Sequence, residues 1–498
     1  MAEKFYITTA IDYTNDRPHL GHALEKIQAD TLARYHRLRG EDVFFLTGTD
    51  EHGAKIVKAA KAAGKNEKEF VDEISAKFQK LLKELNISND GFIRTNDEKH
   101  KRLAEELWRK IPNEDLYLGE YEGLYCIGHE AFIKKSELKN GLCPDHQIEP
   151  EKVKEENYFF KLSKYKDKVR GLISEDKIKI FPQFRKEEVL NLIKDSEDVS
   201  FSRPTKSISW GIPVPVVGGA SQTMYVWTEA LANYISGLPY DNVLLNLSHW
   251  NEHPADIHLI GKDILRFHAI IWPAMLLAAG LETPKSIYVH GFITVDGQKM
   301  SKTIGNVIDP FDLVKKYGVD PVRYYLLREI PSYEDGDFST EKFEARYNAD
   351  LANNLGNLIS RVVALIEKFF NSSFSYSTRF VLKEVDDKVI DTWKRYNESI
   401  NNFKLHIALE NVFSLIDFAN LYIDESKPWA LSGSPERLNI VITNLIMVLL
   451  NVAWLLKPFL PQTSDEIFEI IGADKDGKSW EEKPFLVKPA ILFPKSNL

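Results

Sequence analysis

His19-Leu20-Gly21-His22 sets two imidazoles around a glycine, where an apolar run, KFYITTAI, gives way through a polar stretch to a helical pattern. Imidazole N–H groups can donate to phosphate oxygens, and a glycine without Cβ lets a flat base approach the backbone. A helix N-terminus adds unpaired N–H groups and the positive end of its dipole. The turn therefore reads as a cradle for a nucleotide's phosphates and base. Far along the chain, GQKMSKTIGN places Lys299 and Lys302 between Gly297 and Gly305 in a polar segment after a strand. Such a loop can bring two ammonium groups onto a polyphosphate, although lysine pairs are ordinarily solvated charge. Cys126-Ile-Gly-His129 and Cys143-Pro-Asp-His146 contain the only two cysteines of the chain. Two thiolates and two imidazoles joined through two-residue spacers can close a tetrahedral zinc site; a knuckle held by packing alone is the competing reading.

The elements that must position these groups are legible around them. Residues 4 to 11 are β-branched and aromatic, a helical pattern runs from about Leu20 to Leu38 and stops at Gly40, and DVFFLTG follows as a strand. Strand, helix and strand in this order predict a parallel βαβ unit. In open sheets of that kind ligands bind outside the carboxyl ends of the strands, which is where the histidine turn falls. The alternation breaks between about 115 and 205, as expected of an insertion, and resumes at WGIPVP. DIHLIG reads as a strand, Ile264 to Ala279 as a helix closed by Gly280, and SIYVHGFITV as one further strand. Asp309-Pro310, Asp320-Pro321 and Ser434-Pro435 each offer an acceptor cap followed by proline at the first helical position. From about residue 340 apolar positions recur at helical spacing, which predicts an all-helical last third.

At 498 residues the chain exceeds what one core usually serves. A net charge of −9 argues against coating nucleic acid by bulk electrostatics but leaves a local basic face open. Two cysteines fit a reducing cytoplasm, and the opening MAEKFYITTAIDY lacks the build of a signal peptide. The most membrane-like run, Ile440 to Leu456, is interrupted by Thr443, Asn444 and Asn451 and reads as a buried bundle helix, so no membrane partner is expected.

Taken in order, strand, His-Leu-Gly-His, insertion, second α/β half, Lys-Met-Ser-Lys and helical domain resemble the class I aminoacyl-tRNA synthetases. Their paired signatures are usually written HIGH and KMSKS; Leu20 and Thr303 are the departures. TAIDYTND, GTDEHG, ENYFFKLSKY, WGIPVP, YVWTEALANY, GKDILRFHAIIWPAML and NNLGNLISR narrow the resemblance to the methionyl-tRNA synthetases, over essentially the whole chain.

The resemblance implies a Rossmann-type catalytic domain at 1–115 and 206–295, split by a connective-peptide insertion with its knuckle at 116–205. A Lys-Met-Ser-Lys loop and stem-contact region at 296–345 and a helical anticodon-binding domain at 346–498 follow. It implies ATP bound by His19, Gly21, His22, Gly261, Asp263, Lys299, Ser301 and Lys302, with the two histidines and two lysines catalytic and Mg²⁺ bridging the pyrophosphate oxygens. Methionine would be held by Ile11, Tyr13, Asp50, Trp227, Ala230, Leu231, Tyr234, Ile264 and His268. A thioether suits aromatic and aliphatic walls, and Asp50 offers a carboxylate to the ammonium; ordinary core packing is the other reading of Trp227, Tyr234 and Ile264. Asn357, Arg361 and Trp429 would read the anticodon of tRNA(Met), the initiator included, by stacking and base-edge hydrogen bonds. Family knuckles commonly carry four cysteines and some members lack the metal, so Cys126, His129, Cys143 and His146 leave zinc open. A cytoplasmic monomer is expected, since little chain follows the last helical segment. Another class I synthetase, or a catalytically silent RNA-binding paralogue, is the alternative.

Overall fold

A computed structural model describes residues 2–126, 131–133, 135, 138–144, 147–216, 221–300, 305–474 and 484–494. Contacts divide it into two units. The first contains the chain up to Pro18, Glu41–Lys83 and Ser88–Val289; the second contains His19–Gly40, Glu84–Ile87 and the chain from His290 on.

A seven-stranded sheet organises the first unit, in the order Asp12–Tyr13, Asp42–Asp50, Lys4–Thr9, Ile257–Gly261, Ser286–His290, Lys179–Phe181, with Gly91–Arg94 also pairing Asp42–Asp50. Lys4–Thr9 runs parallel to both Asp42–Asp50 and Ile257–Gly261. The strand order therefore turns outward in both directions from this central strand. That arrangement makes a switch point, with the segments after Thr9 and Gly261 leaving it at the carboxyl ends. Ile7, Leu259 and Ile287 are wholly buried, as expected of strands covered on both faces.

The insertion is an antiparallel sheet. Leu116–Cys126 pairs along ten positions with Glu151–Phe160, and Ala131–Ile133 and Val199–Ser200 pair at either side.

SIYVHGFITV is two strands, not one. Ser286–His290 belongs to the large sheet, whereas Ile293–Val295 joins a small sheet with Gln298–Lys299 and Gly336–Phe338. The break falls at Gly291, where a Cβ would stand 2.1 Å from the Glu334 carbonyl oxygen; only glycine lets the two backbones pass so closely.

In the second unit the helices start largely where the caps predict. Asp309 accepts from the Phe311 N–H at 2.9 Å and caps helix Pro310–Tyr317. Asp320 does not cap: Gly318 precedes helix Val319–Arg328, and the Asp320 carboxylate instead accepts from the Thr463 N–H at 2.6 Å. Helix Pro435–Leu456 starts at its proline, but the Ser434 side chain makes no capping bond. This helix is long and apolar enough to cross a membrane by length and composition, yet 78% of its most apolar window is buried in the protein. Within it, Asn444 accepts from the Leu382 N–H and donates to the Phe380 carbonyl, both at 2.9 Å. Among the described residues the last third is helical apart from a two-stranded ribbon, Ser373–Phe374 with Phe485–Leu486.

Helix Leu20–Leu38 is fixed to this unit by a buried ion pair. Arg323 donates to Asp30 at 2.7 Å, to the Phe459 carbonyl at 2.7 Å and to the Leu85 and Pro458 carbonyls at 3.2 Å. Arg34 donates to the same Asp30 carboxylate at 2.7 Å.

Candidate active site

His19 is the N-cap of helix Leu20–Leu38, and it caps unusually. Its Nδ1 accepts from the Gly21 N–H at 3.1 Å, while the His22 Nδ1 accepts from the His19 N–H at 3.1 Å. A backbone N–H can only donate, so Nδ1 is the unprotonated nitrogen of both rings and each neutral imidazole carries its proton on Nε2. The rings lie 3.9 Å apart at 34°. Burial, then His19, Lys26 and His290, push the His22 pKa well below its ordinary value, so His22 is an uncharged Nε2–H donor. Gly21 is crowded: a Cβ would meet the His19 Cε1 at 2.9 Å and Nδ1 at 3.1 Å. The glycine thus has a reason internal to the chain, room for the His19 ring, besides the approach of a base.

Gln298–Lys299 forms a hairpin with Ile293–Val295, pairing Val295 with Gln298 and Thr294 with Lys299. The two turn residues, Asp296 at φ 50 and Gly297 at φ 73, are both left-handed, as a two-residue hairpin loop demands. Asp337 fixes the turn by accepting from the Gly297 N–H and the Thr294 hydroxyl, each at 2.7 Å. The Gly297 N–H bond leads the causes that hold its carboxyl below the usual range. The hairpin delivers Met300 to the histidine turn, its Cε 3.7 Å from where a Gly21 Cβ would stand. Ser301 and Lys302 lie outside the described residues, and only the backbone of Lys299 is described.

The candidate methionine residues all fall in the first unit. Tyr13 and Asp50 are register partners of adjacent parallel strands, and the Asp50 carbonyl accepts from the Thr14 N–H at 2.9 Å and hydroxyl at 3.0 Å. Ile11 lies between the strands Lys4–Thr9 and Asp12–Tyr13. Trp227 stacks on Phe267 at 4.0 Å and 8°, with His268 edge-on at 6.2 Å. Ala230, Leu231, Tyr234 and His268 are buried, and Ile264 is half-buried.

Two tautomers follow here as well. The His268 Nδ1 faces the Ile264 carbonyl at 3.0 Å and must donate, and in the neutral ring its Nε2 accepts from the Tyr234 hydroxyl at 2.7 Å. The His258 Nε2 accepts from the Trp272 indole at 3.2 Å, leaving Nδ1–H for the Thr8 hydroxyl at 2.7 Å. Burial, then His268, keeps His258 neutral. Together these bonds leave the aromatic walls little freedom to rotate. Gly261 ends its strand buried, and Asp263 follows it exposed in the short turn Lys262–Ile264.

The first unit also buries groups that the sequence did not single out. Glu229 is buried between His52, at 2.9 Å, and His100, at 2.8 Å. Arg203 is buried too, donating to the Ser200 hydroxyl and the Ser202 carbonyl at 2.7 Å, with its guanidinium over the Tyr225 ring at 4.3 Å. His52 and Glu229 stand inside GTDEHG and YVWTEALANY, but only a buried carboxylate's need for donors marks them out.

Comparison with known proteins decides the family. The model described as "tRNA synthetases class I (M)" matches residues 5–152 and 134–363, and that of the anticodon-binding domain of tRNA ligases matches 383–493. The methionine–tRNA ligase of Clostridium perfringens is 46% identical over 515 residues, covering 99% of this chain and 78% of that protein. This chain belongs to the methionine–tRNA ligase family of class I synthetases. The Thermotoga maritima ligase is 44% identical across 97% of the chain and 76% of its own length, and the Brucella melitensis ligase 41% across 96% and 94%. Among solved structures, the Mycobacterium tuberculosis methionyl-tRNA synthetase bound by methionyl-adenylate superimposes with a TM-score of 0.91, at 36% identity, covering 99% of this chain and 100% of that one.

Within this ligase-family chain, Trp429 lies inside the anticodon-model match, whereas Asn357 and Arg361 precede it. Asn357 is exposed at the start of helix Asn357–Phe370. Arg361 pairs with Asp424 and reaches Asn420 at 3.4 Å. Trp429 is 49% exposed in the turn Pro428–Ala430, after Lys427 ends the preceding helix in a left-handed conformation. A half-exposed indole costs apolar surface in water and suits a stacking partner. In the knuckle, Cys126 and Cys143 are buried in one small cluster with Ile133. His129 and His146 lie outside the described residues, and among the described residues no group of three metal-capable side chains forms.

Proposed function

We propose that this chain is a methionine–tRNA ligase that activates L-methionine with ATP, taken as its Mg²⁺ complex, and then charges tRNA(Met), the initiator included. In the first step a methionine carboxylate oxygen attacks the α-phosphorus, and the bond to the leaving pyrophosphate breaks. Negative charge builds on the phosphoryl oxygens and on the leaving group, so positioning and electrostatic stabilisation suffice without a protein nucleophile. In the second step the terminal adenosine's ribose hydroxyl attacks the adenylate carbonyl, and AMP leaves.

The observation that carries this reading is the reciprocal capping at His19 and His22, which commits both Nδ1 atoms to the backbone and both Nε2–H groups to donation. On this reading Lys299, Ser301 and Lys302 meet the β- and γ-side oxygens, and Gly261 and Asp263 meet the ribose. The residues Ile11, Tyr13, Asp50, Trp227, Ala230, Leu231, Tyr234, Ile264 and His268 enclose methionine, with Asp50 on its ammonium. Asn357, Arg361 and Trp429 read the anticodon.

Zinc fits the knuckle only in part. The described donors are two thiols, half of a tetrahedral set; with His129 and His146 they would make a closed structural site, and no step of the reaction depends on it. Metal analysis of protein purified without chelator decides the knuckle: about one zinc per chain makes it a metal site, and none makes it a knuckle held by packing. Pyrophosphate exchange dependent on methionine, and absent with isoleucine, valine, leucine or cysteine, decides the activity. Exchange with another amino acid in place of methionine overturns it.

A further inference from the structure

One buried carboxylate links, through hydrogen bonds, three segments that each carry candidate methionine residues. Glu229 Oε1 lies 2.9 Å from His52 Nδ1 and Oε2 lies 2.8 Å from His100 Nε2, and the far nitrogen of His100 lies 2.8 Å from the Ser236 hydroxyl. All four side chains are buried: His52 is 3% exposed, Glu229 1%, and His100 and Ser236 0%. His52 stands two positions after Asp50. Glu229 lies between Trp227 and Ala230 on helix Val226–Ala230, and Ser236 stands two after Tyr234 on helix Asn233–Ser236.

We propose that Glu229 is the positioning residue of the amino-acid pocket, holding the Asp50 segment, the Trp227 helix and the Tyr234 helix in one register through a His52–Glu229–His100–Ser236 chain of hydrogen bonds. This rests on the methionine–ligase reading of the site.

The chemistry fixes the direction of both bonds to the carboxylate. Burial pushes the Glu229 carboxyl up, but His52 and His100 outweigh it and hold it below its ordinary value. An ionised carboxylate only accepts, so His52 donates from Nδ1 and His100 from Nε2. In the neutral ring the His100 Nδ1 is left as an acceptor for the Ser236 hydroxyl, which also faces the Asn233 carbonyl at 3.5 Å. The outer side of His52 is set as well: its ring meets Trp210 edge-on at 5.8 Å, and the Trp210 indole donates to the Glu51 carbonyl at 2.6 Å. Its own N–H approaches the Asp50 carboxylate at 3.4 Å. A fully connected buried network of this kind tolerates one geometry, and the pocket inherits it.

The test is the split between the two substrates in pyrophosphate exchange. Glu229→Leu removes both acceptors and leaves two imidazole N–H groups buried and unpaired. Its KM for methionine should rise about tenfold or more, as misplacement of about 1 Å can cost a hundredfold, with the KM for ATP unmoved within about twofold. Glu229→Gln should be rescued to within about threefold, because His100 can invert its tautomer, accept from the amide and donate to the Ser236 hydroxyl. That escape needs Ser236. The Glu229→Gln/Ser236→Ala pair should therefore raise the methionine KM at least about fivefold beyond the product of the two single effects, a coupling that can be read even if Glu229→Leu fails to fold.

Equal rises in both KM values, Glu229→Gln as impaired as Glu229→Leu, or a multiplicative double variant would each overturn the proposal. Absence of methionine-dependent exchange in the parent enzyme would instead overturn the ligase reading itself.

Discussion

Replacing Gly21 by alanine separates activity from stability at the histidine turn. The added Cβ would stand 2.9 Å from the His19 Cε1 and 3.1 Å from its Nδ1, against 3.4–4 Å for ordinary contact, so the ring must withdraw by about half an ångström or more. Withdrawal breaks the 3.1 Å bond from the Gly21 N–H, an N-cap interaction of about 1 kcal/mol. Alanine returns up to about 1 kcal/mol over glycine within a helix, so the unfolding midpoint should hardly move. The Nε2–H donor travels with the ring, and misplacement on this scale lowers the rate about tenfold to a hundredfold, about 1.4–2.7 kcal/mol of barrier. Methionine-dependent pyrophosphate exchange, measured beside thermal unfolding, reads both quantities on one preparation. A Gly21→Ala enzyme exchanging at the parent rate would refute the tight fit between the glycine and the ring, and with it the fixed aim of His19.

Three further outcomes follow from other contacts. Arg323→Met should destabilise the second unit by about 3 kcal/mol, the low end for breaking a buried ion pair, because Arg34 still faces Asp30 at 2.7 Å; a urea titration showing under about 1 kcal/mol would count against the pair. Trp429→Ala should weaken charging through the KM for tRNA, by about 1–3 kcal/mol if a base stacks there, while sparing pyrophosphate exchange; equal loss in both would misplace the residue. The His22 pKa is lowered in the folded chain, so as pH falls below about 6.5 the unfolded state takes up a proton that the folded state refuses, and stability is lost. His22→Gln should flatten the stability slope between about pH 5 and 6.5 by up to about 1.4 kcal/mol per pH unit, and an unchanged slope would mean that His22 titrates normally.

What could be read in the string is what chemistry writes locally. The His19–His22 turn lies within four consecutive residues, and its helix runs over Leu20–Leu38 as the apolar spacing predicts. Asp309 caps as expected because its partner, Phe311, is two residues away. The Glu229 relay was invisible for the converse reason: its two histidines stand 177 and 129 positions from it. Asp320 misled for the same cause, since its carboxylate satisfies a backbone N–H 143 positions on, not the start of its own helix. The split of SIYVHGFITV at Gly291 depends on the Glu334 backbone passing close by, and nothing in that apolar run signals a neighbour.

The capping residue itself carries the functional meaning. Serine, threonine, asparagine or aspartate at position 19 would satisfy the helix end at least as well, and an aspartate would also complement the dipole. On the proposed reading its charge would then repel the triphosphate. Histidine accepts from the helix with one nitrogen and donates outward with the other, so a single ring closes the N-terminus and presents a proton to an anion. The second ring repeats this with the His19 backbone as its partner. Two such rings 3.9 Å apart can both remain neutral, whereas two imidazoliums there would repel. A local departure from the preferred cap is thus where the site shows itself. On the proposed reading it also assigns the labour: neutral imidazoles aim hydrogen bonds, and the full positive charge is left to Lys299 and Lys302, which that reading sets against the leaving pyrophosphate.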